Sequence, residues 1–187
     1  MTIRAGIAVW AVDSTDSVLC ETFILLAQNP TVQKNAYEEA RRVIGDDYDT
    51  PMRSEDVSKL TCITMVLKET MRLIPPVAAL ESHGGNGFLT LHHDPKVFPK
   101  PEQFIPERFL PENVLNRHRC SYLPFSAWER ICIGEKYVMP EMKFTVAKIL
   151  YKYEIFTKME TDESRLHALF KIQGLFNDSL ETESPII

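Results

Sequence analysis

Residues 5–28 contain no proline and, after Gly6, no glycine, and apolar side chains crowd most faces of the helix they predict. Ile7, Val9, Trp10, Val12, Val18, Leu19, Phe23, Ile24, Leu25 and Leu26 leave no continuous wet stripe. A helix that is apolar nearly all round is stable only when other elements enclose it. This segment therefore predicts the centre of a mainly α domain (α+β in class). Asn29-Pro30 ends it, and Pro30 suits the first turn of a following helix. That second helix is predicted over 31–44, with Glu38-Glu39 and Arg41-Arg42 on its wet face and Gly45-Asp46-Asp47 as its stop. Ser54-Glu55-Asp56 caps a short turn. A third helix over 58–73 stops before Pro75-Pro76, because a residue preceding proline avoids the helical region.

Length and charge exclude several classes. A chain of 187 residues is one ordinary domain. Its formal net charge of -5 argues against nucleic acid as a partner. Cys20, Cys62, Cys120 and Cys132 are scattered without CxxC spacing, which argues against a zinc ribbon or disulfide scaffold and fits a reducing compartment. No apolar run reaches the ~20 residues needed to span a bilayer, and no signal peptide is visible.

Three short strings carry chemistry. The first is Phe125-Ser126-Ala127-Trp128-Glu129-Arg130-Ile131-Cys132-Ile133-Gly134, within the loop 124–134, ahead of a helix predicted over 134–151. A cysteine at a helix start meets unpaired N–H groups and the positive end of the dipole, both of which favour thiolate. Arg130 adds a cation, and Gly134 lets backbone approach something bulky beside the sulfur. The plainer alternative is a buried structural thiol. The second string, Ala11-Val12-Asp13-Ser14-Thr15, puts an acid and hydroxyls in the middle of the apolar helix. They either bend it through a freed carbonyl or face solvent. The third, Glu69 and Arg72, lies three apart on one helix face, where most such pairs are surface decoration. Pro106-Glu107-Arg108-Phe109 closes a proline-rich meander over 95–110. Just before it, His92-His93-Asp94 is a poor chelate, since neighbours on an extended chain point opposite ways. Asn177-Asp178-Ser179 matches a glycosylation sequon, with nothing else suggesting secretion. In the tail, 153–187, residues 169–172 are a candidate strand of a small hairpin.

Taken in order along the chain, these strings resemble those of the cytochrome P450 superfamily, the haem-thiolate monooxygenases. Phe125, Arg130, Cys132 and Gly134 match the cysteine-ligand loop. Trp128 stands where the family has glycine, and Glu129 where it often has proline. Asp13 and Ser14 match the acid–alcohol pair of the kinked central helix, with Ala11 in place of the usual glycine. Glu69, Arg72 and Arg108 match a buried ion-pair triad that locks the cysteine loop. Tyr122-Leu123-Pro124-Phe125-Ser126 and Glu141-Met142-Lys143 look most like the family 4 branch of animal microsomal members.

The resemblance implies the C-terminal helical part of that fold with a small, incomplete β portion. The cofactor it implies is haem b (iron protoporphyrin IX), with Cys132 as axial ligand to the iron, pushing electron density toward it to favour O–O cleavage. Phe125, Arg130 and Gly134 would hold the macrocycle, Arg130 through a propionate. Asp13 and Ser14 would relay protons on the oxygen-binding face. The implied partners are an NADPH-dependent flavoprotein reductase and a small hydrophobic, lipid-like or foreign substrate, at the cytosolic face of the endoplasmic reticulum membrane. Relative to the family, the chain is expected to be a C-terminal fragment with an internal deletion, the glycine-rich 81–87 replacing strands and pocket residues. Without the family's membrane anchor, it could equally be cytosolic. A reading of a different class follows from Trp128, the missing haem cover and the shortened sheet: a haem-free, catalytically inactive remnant or interaction module.

Overall fold

The computed structural model describes residues 3–49, 51–76, 87–127, 131–158 and 167–172; of 3–13, 87–89, 157–158 and 167–172 it describes the backbone alone. Helix α1 runs over Ile3–Gln28 and α2 over Pro30–Ile44. The break between them is tight. Asn29 N–H donates to Leu26 O at 3.1 Å, and its side chain donates to Leu25 O at 2.8 Å. Pro30 then opens α2, where a missing N–H leaves nothing unsatisfied. Gly45, at φ 81, ends α2 in a conformation that favours glycine.

Helix α4 spans Thr61–Leu73 and stops before Pro75. The sequence reading starts this helix at 58. In the structure Ser54–Ser58 forms its own short helix, α3, and the chain turns at Lys59-Leu60 before α4 begins. The reason sits on α2. Glu39, which sequence reasoning assigns to a wet face, is buried. Its Oε1 accepts the N–H of Thr61 (2.9 Å), the N–H of Cys62 (2.8 Å) and the Thr61 hydroxyl (2.8 Å). Its Oε2 accepts the N–H of Ile63 at 3.0 Å. A carboxylate from one helix thus satisfies the orphan donors at the start of another and meets the positive end of its dipole. Glu38, Arg41 and Arg42 do face solvent.

A short helix, α5, covers Gly87–His92. Of the glycine-rich 81–87, all but Gly87 lies outside the described residues; α5 begins at that glycine and ends at His92, whose side chain is buried. The meander continues through a 3-10 turn at Pro106–Phe109, helix α6 at Pro111–Leu115 and a 3-10 turn at Arg119–Ser121. Helix α7, Glu135–Lys152, follows. Strands β1, Tyr153–Lys158, and β2, His167–Ile172, pair antiparallel from Tyr153↔Ile172 to Lys158↔His167.

Helices α1, α2, α4 and α7 share one core. Leu26, Ala36, Ala40, Ile63, Leu67, Met142, Val146 and Leu150 lie within it, each essentially inaccessible to water. Alanines at 36, 40 and 147 let the helix backbones approach closely. Each buried Leu, Ile, Val or Met side chain contributes about 1.5–3 kcal/mol. Two polar contacts fix alignment within this core. The hydroxyls of Thr22 on α1 and Thr70 on α4 lie 3.2 Å apart, each also near its own helix's carbonyl, Val18 O at 2.7 Å and Val66 O at 3.1 Å. Gln33 docks the hairpin: its Nε2 donates to Ile155 O and its Oε1 accepts Ile155 N–H, both at 2.7 Å.

The Glu39 cap yields a paired test. Glu39→Ala leaves buried donors without a partner and should cost roughly 1–3 kcal/mol. The neighbouring Glu38→Ala should stay within about 0.5 kcal/mol of the parent. Urea denaturation of the two variants checks this; equal losses would remove the cap from the account.

Candidate functional site

Glu69 and Arg72, on adjacent turns of α4, have no solvent-accessible side-chain surface, and Arg108 from the 3-10 turn reaches the same carboxylate. Arg72 Nε donates to Glu69 Oε2 and Nη2 to Oε1, both at 2.9 Å. Arg108 Nε donates to Oε1 at 3.2 Å, and Ile105 N–H to the same oxygen at 3.0 Å. Two guanidiniums on one carboxylate leave an excess positive charge in a dry place. Backbone carbonyls absorb it. Arg72 donates to His92 O (2.9 Å), Pro101 O (2.7 Å) and Gln103 O (3.3 Å), and Arg108 Nη2 donates to Lys100 O at 2.7 Å. Lys100 takes a left-handed φ of 54 as it presents that carbonyl. The Phe98 ring lies between Arg72 at 5.2 Å and Arg117 at 4.4 Å, and Arg117 also donates to Arg108 O at 2.9 Å. The structure thus brings Glu69, Arg72 and Arg108 together and wraps the meander around them.

The chain reaches the cysteine loop from this frame. Tyr122 stacks against Phe109 at 4.7 Å and His92 at 5.2 Å, and its hydroxyl donates to Lys68 O at 2.8 Å. Desolvation, and secondarily Glu69, push that hydroxyl's pKa well up, so it stays a donor. Leu123 N–H donates to His92 Nε2 at 3.0 Å. Ser126, at φ 64, closes a turn by donating to Leu123 O at 3.2 Å. Cys132 N–H donates to Phe125 O at 2.8 Å, which fastens the two ends of the loop to each other.

Cys132 itself is exposed, three residues ahead of α7. Its own amide is committed to Phe125 O, and its exposure differs from the buried structural thiol that the sequence offers as the plainer alternative. Gly134 caps α7 with an ordinary φ of -80, and an added Cβ would meet Val138 Cγ2 at 3.4 Å and Cys132 Sγ at 3.6 Å. Packing within the chain would tolerate a side chain there, but it would stand at contact distance from the sulfur. Ile131 and Ile133 beside it are 56% and 90% exposed. An exposed thiol beside two exposed isoleucines is open to a metal that takes soft ligands. Cys62 does not suit one: burial, then Glu39, push its thiol up to about 11.

Phe125 is partly buried and packs against the core. Ser14 is half-buried on α1, remote in sequence from the loop. The helix runs through 11–15 without interruption. The side chain of Asp13, and all of Trp128 and Arg130, lie outside the described residues. His93 approaches Glu102 at 3.9 Å while His92 turns into the core, so the two histidines do not converge. A cavity of about 470 Å³ lined by Lys96, Arg108, Arg117 and His118, among others, lies on the meander and does not include Cys132. Sequence reasoning missed Glu39 and His92 as structural keystones.

The family model described as Cytochrome P450 matches residues 7–84 and 88–175. Cytochrome P450 4c3 of Drosophila melanogaster is 34% identical over 160 residues, covering 76% of this chain and 30% of its own length. Human cytochrome P450 4V2 is 37% identical over 168 residues, covering 81% of this chain and 32% of its own. The chain thus spans about a third of the length of these relatives. A crystal structure of a cytochrome P450DA mutant heme domain superposes with a TM-score of 0.68 at 24% identity, covering 85% of this chain and 37% of that one.

Two outcomes follow from the buried frame. Glu69→Ala strands two guanidiniums and should cost roughly 3–5 kcal/mol, read as a lowered urea midpoint. Burial, then Arg72 and His93, depress the His92 pKa from 6.5 to about 4. Its folded value lies below its unfolded one, so the stability it contributes is intact above pH 6.5. That contribution is lost as pH falls toward 4, at up to about 1.4 kcal/mol per pH unit. Urea midpoints measured from pH 7 to 4 should fall more steeply for the parent than for His92→Gln.

Proposed function

The chain belongs to the cytochrome P450 family, and on that premise we propose that it carries the thiolate side of a haem monooxygenase site, with Cys132 as the residue that would hold the haem iron. The observation that carries this reading is the exposed Cys132 sulfur, on a loop closed by its own amide and hung from a buried ion-pair frame. Bound haem b would supply the chemistry, insertion of one oxygen atom from O2 into a lipid-like or foreign organic substrate.

The chain's own residues would position and tune. Cys132 would present its lone pair from a fixed backbone, since its N–H is already committed to Phe125 O. Gly134 leaves that sulfur uncovered, and Ile131 and Ile133 would exclude water around it. Arg130 would pair a propionate through charge-assisted hydrogen bonds. Phe125 would brace the loop from the core side. Asp13 and Ser14 on α1 would hold and pass protons. Glu69, Arg72 and Arg108 keep the loop in place and take no part in the chemistry. An NADPH-dependent flavoprotein reductase would deliver electrons. The likeness to family 4 members supports a location at the cytosolic face of the endoplasmic reticulum membrane. Among the described residues no helix is long and apolar enough to cross a membrane.

Haemin titration tests the reading. After reduction and addition of carbon monoxide, the parent chain should show the red-shifted Soret band of thiolate ligation. Cys62→Ser should keep that band and Cys132→Ser should lose it. A parent that takes up no haem overturns the proposal in favour of the haem-free remnant. If Trp128→Gly then binds, the tryptophan in the glycine position is the obstacle.

A further inference from the structure

We infer that His92 is a positioning residue that couples the buried ion-pair frame to the cysteine loop, with a neutral ring accepting the Leu123 amide. What that loop holds rests on the reading above; the coupling itself does not.

His92 faces two ways with two different atoms. Its carbonyl oxygen accepts Arg72 Nη1 at 2.9 Å, so its backbone belongs to the frame. Its ring nitrogen Nε2 accepts Leu123 N–H at 3.0 Å, so its side chain belongs to the loop. The side chain is fully buried and packs on Tyr122. Leu123 is where the frame takes hold of the loop's backbone. Pro124 has no N–H, and beyond it Phe125 O already receives Cys132 and Ser126 N–H already turns back to Leu123 O. The peptide that starts the turn is thus pinned by His92, and the turn pins the sulfur.

The tautomer follows from this bond. A nitrogen that accepts from an amide carries no hydrogen, so the ring proton sits on Nδ1. Nδ1 is buried and has no hydrogen-bond partner among the described residues. An apolar ring or chain of similar size would avoid that orphan donor. Among the described contacts, the acceptor at Nε2 is the one thing such a replacement could not supply. Burial and the charge of Arg72 disfavour the imidazolium, which keeps the acceptor present at neutral pH.

The full chain tests this without a cofactor. Nitrogen-15 chemical shifts of the His92 ring should report a protonated Nδ1 and a bare Nε2. His92→Gln, whose Oε1 can reach the same point, should leave amide exchange at Leu123 and Cys132 within about threefold of the parent. His92→Leu should speed exchange at both by roughly tenfold, the scale of one lost hydrogen bond, while the α2, α4 and α7 core amides hold. A protonated Nε2, unchanged exchange in His92→Leu, or equal acceleration throughout the core in both variants would each overturn the inference. Haem uptake by the parent is scored separately, so its failure leaves this result standing. Where haem binds, His92→Leu should lose thiolate-type absorbance that His92→Gln retains.

Discussion

One carboxylate organises this structure. Glu69, fully buried, receives two guanidiniums and a backbone amide. Isolated, such a group would pay a large desolvation cost. Here the arginines outnumber the acid, and their remaining donors must find oxygen. They find it in the carbonyls of His92, Lys100, Pro101 and Gln103. The meander has little regular secondary structure with which to satisfy its own backbone. The unsatisfied arginines and the unsatisfied carbonyls solve each other's problem, which is why an irregular segment follows a definite course.

That course in turn sets where the cysteine loop hangs. His92 links the frame to Leu123, and a turn links Leu123 to the segment whose end receives the Cys132 amide. The core beneath is ordinary helix packing, but its alignment relies on a few polar contacts that each join two elements. Glu39 sets where α4 begins, and with it the height of Glu69 and Arg72. Thr22 and Thr70 set how α1 meets α4.

Much of this was legible in the residue order where the signal is local. Proline stops at Pro30 and Pro75 coincide with helix ends at Gln28 and Leu73, because proline acts on its immediate neighbour. Glu69, Arg72, Arg108 and Cys132 stood out through their spacing and order. Long-range partners were not legible. Glu39 looks like half of an exposed acidic pair, and only the arrival of α4 makes it interior. His92 reads as half of a histidine pair; its inward turn depends on the short helix α5, which ends on it. Amphipathic pattern says which face is wet, not which polar residue on the dry face has a distant partner.

Gln33 has an effect beyond alignment. Its amide occupies both backbone groups of Ile155, the ones that point away from β2 in this two-stranded ribbon. A ribbon has two open flanks, each a template on which another extended chain can add. One glutamine closes the β1 flank at its midpoint by imitating the strand that would otherwise pair there. The same side chain that seats the hairpin thereby leaves no free backbone donor at that point of the flank.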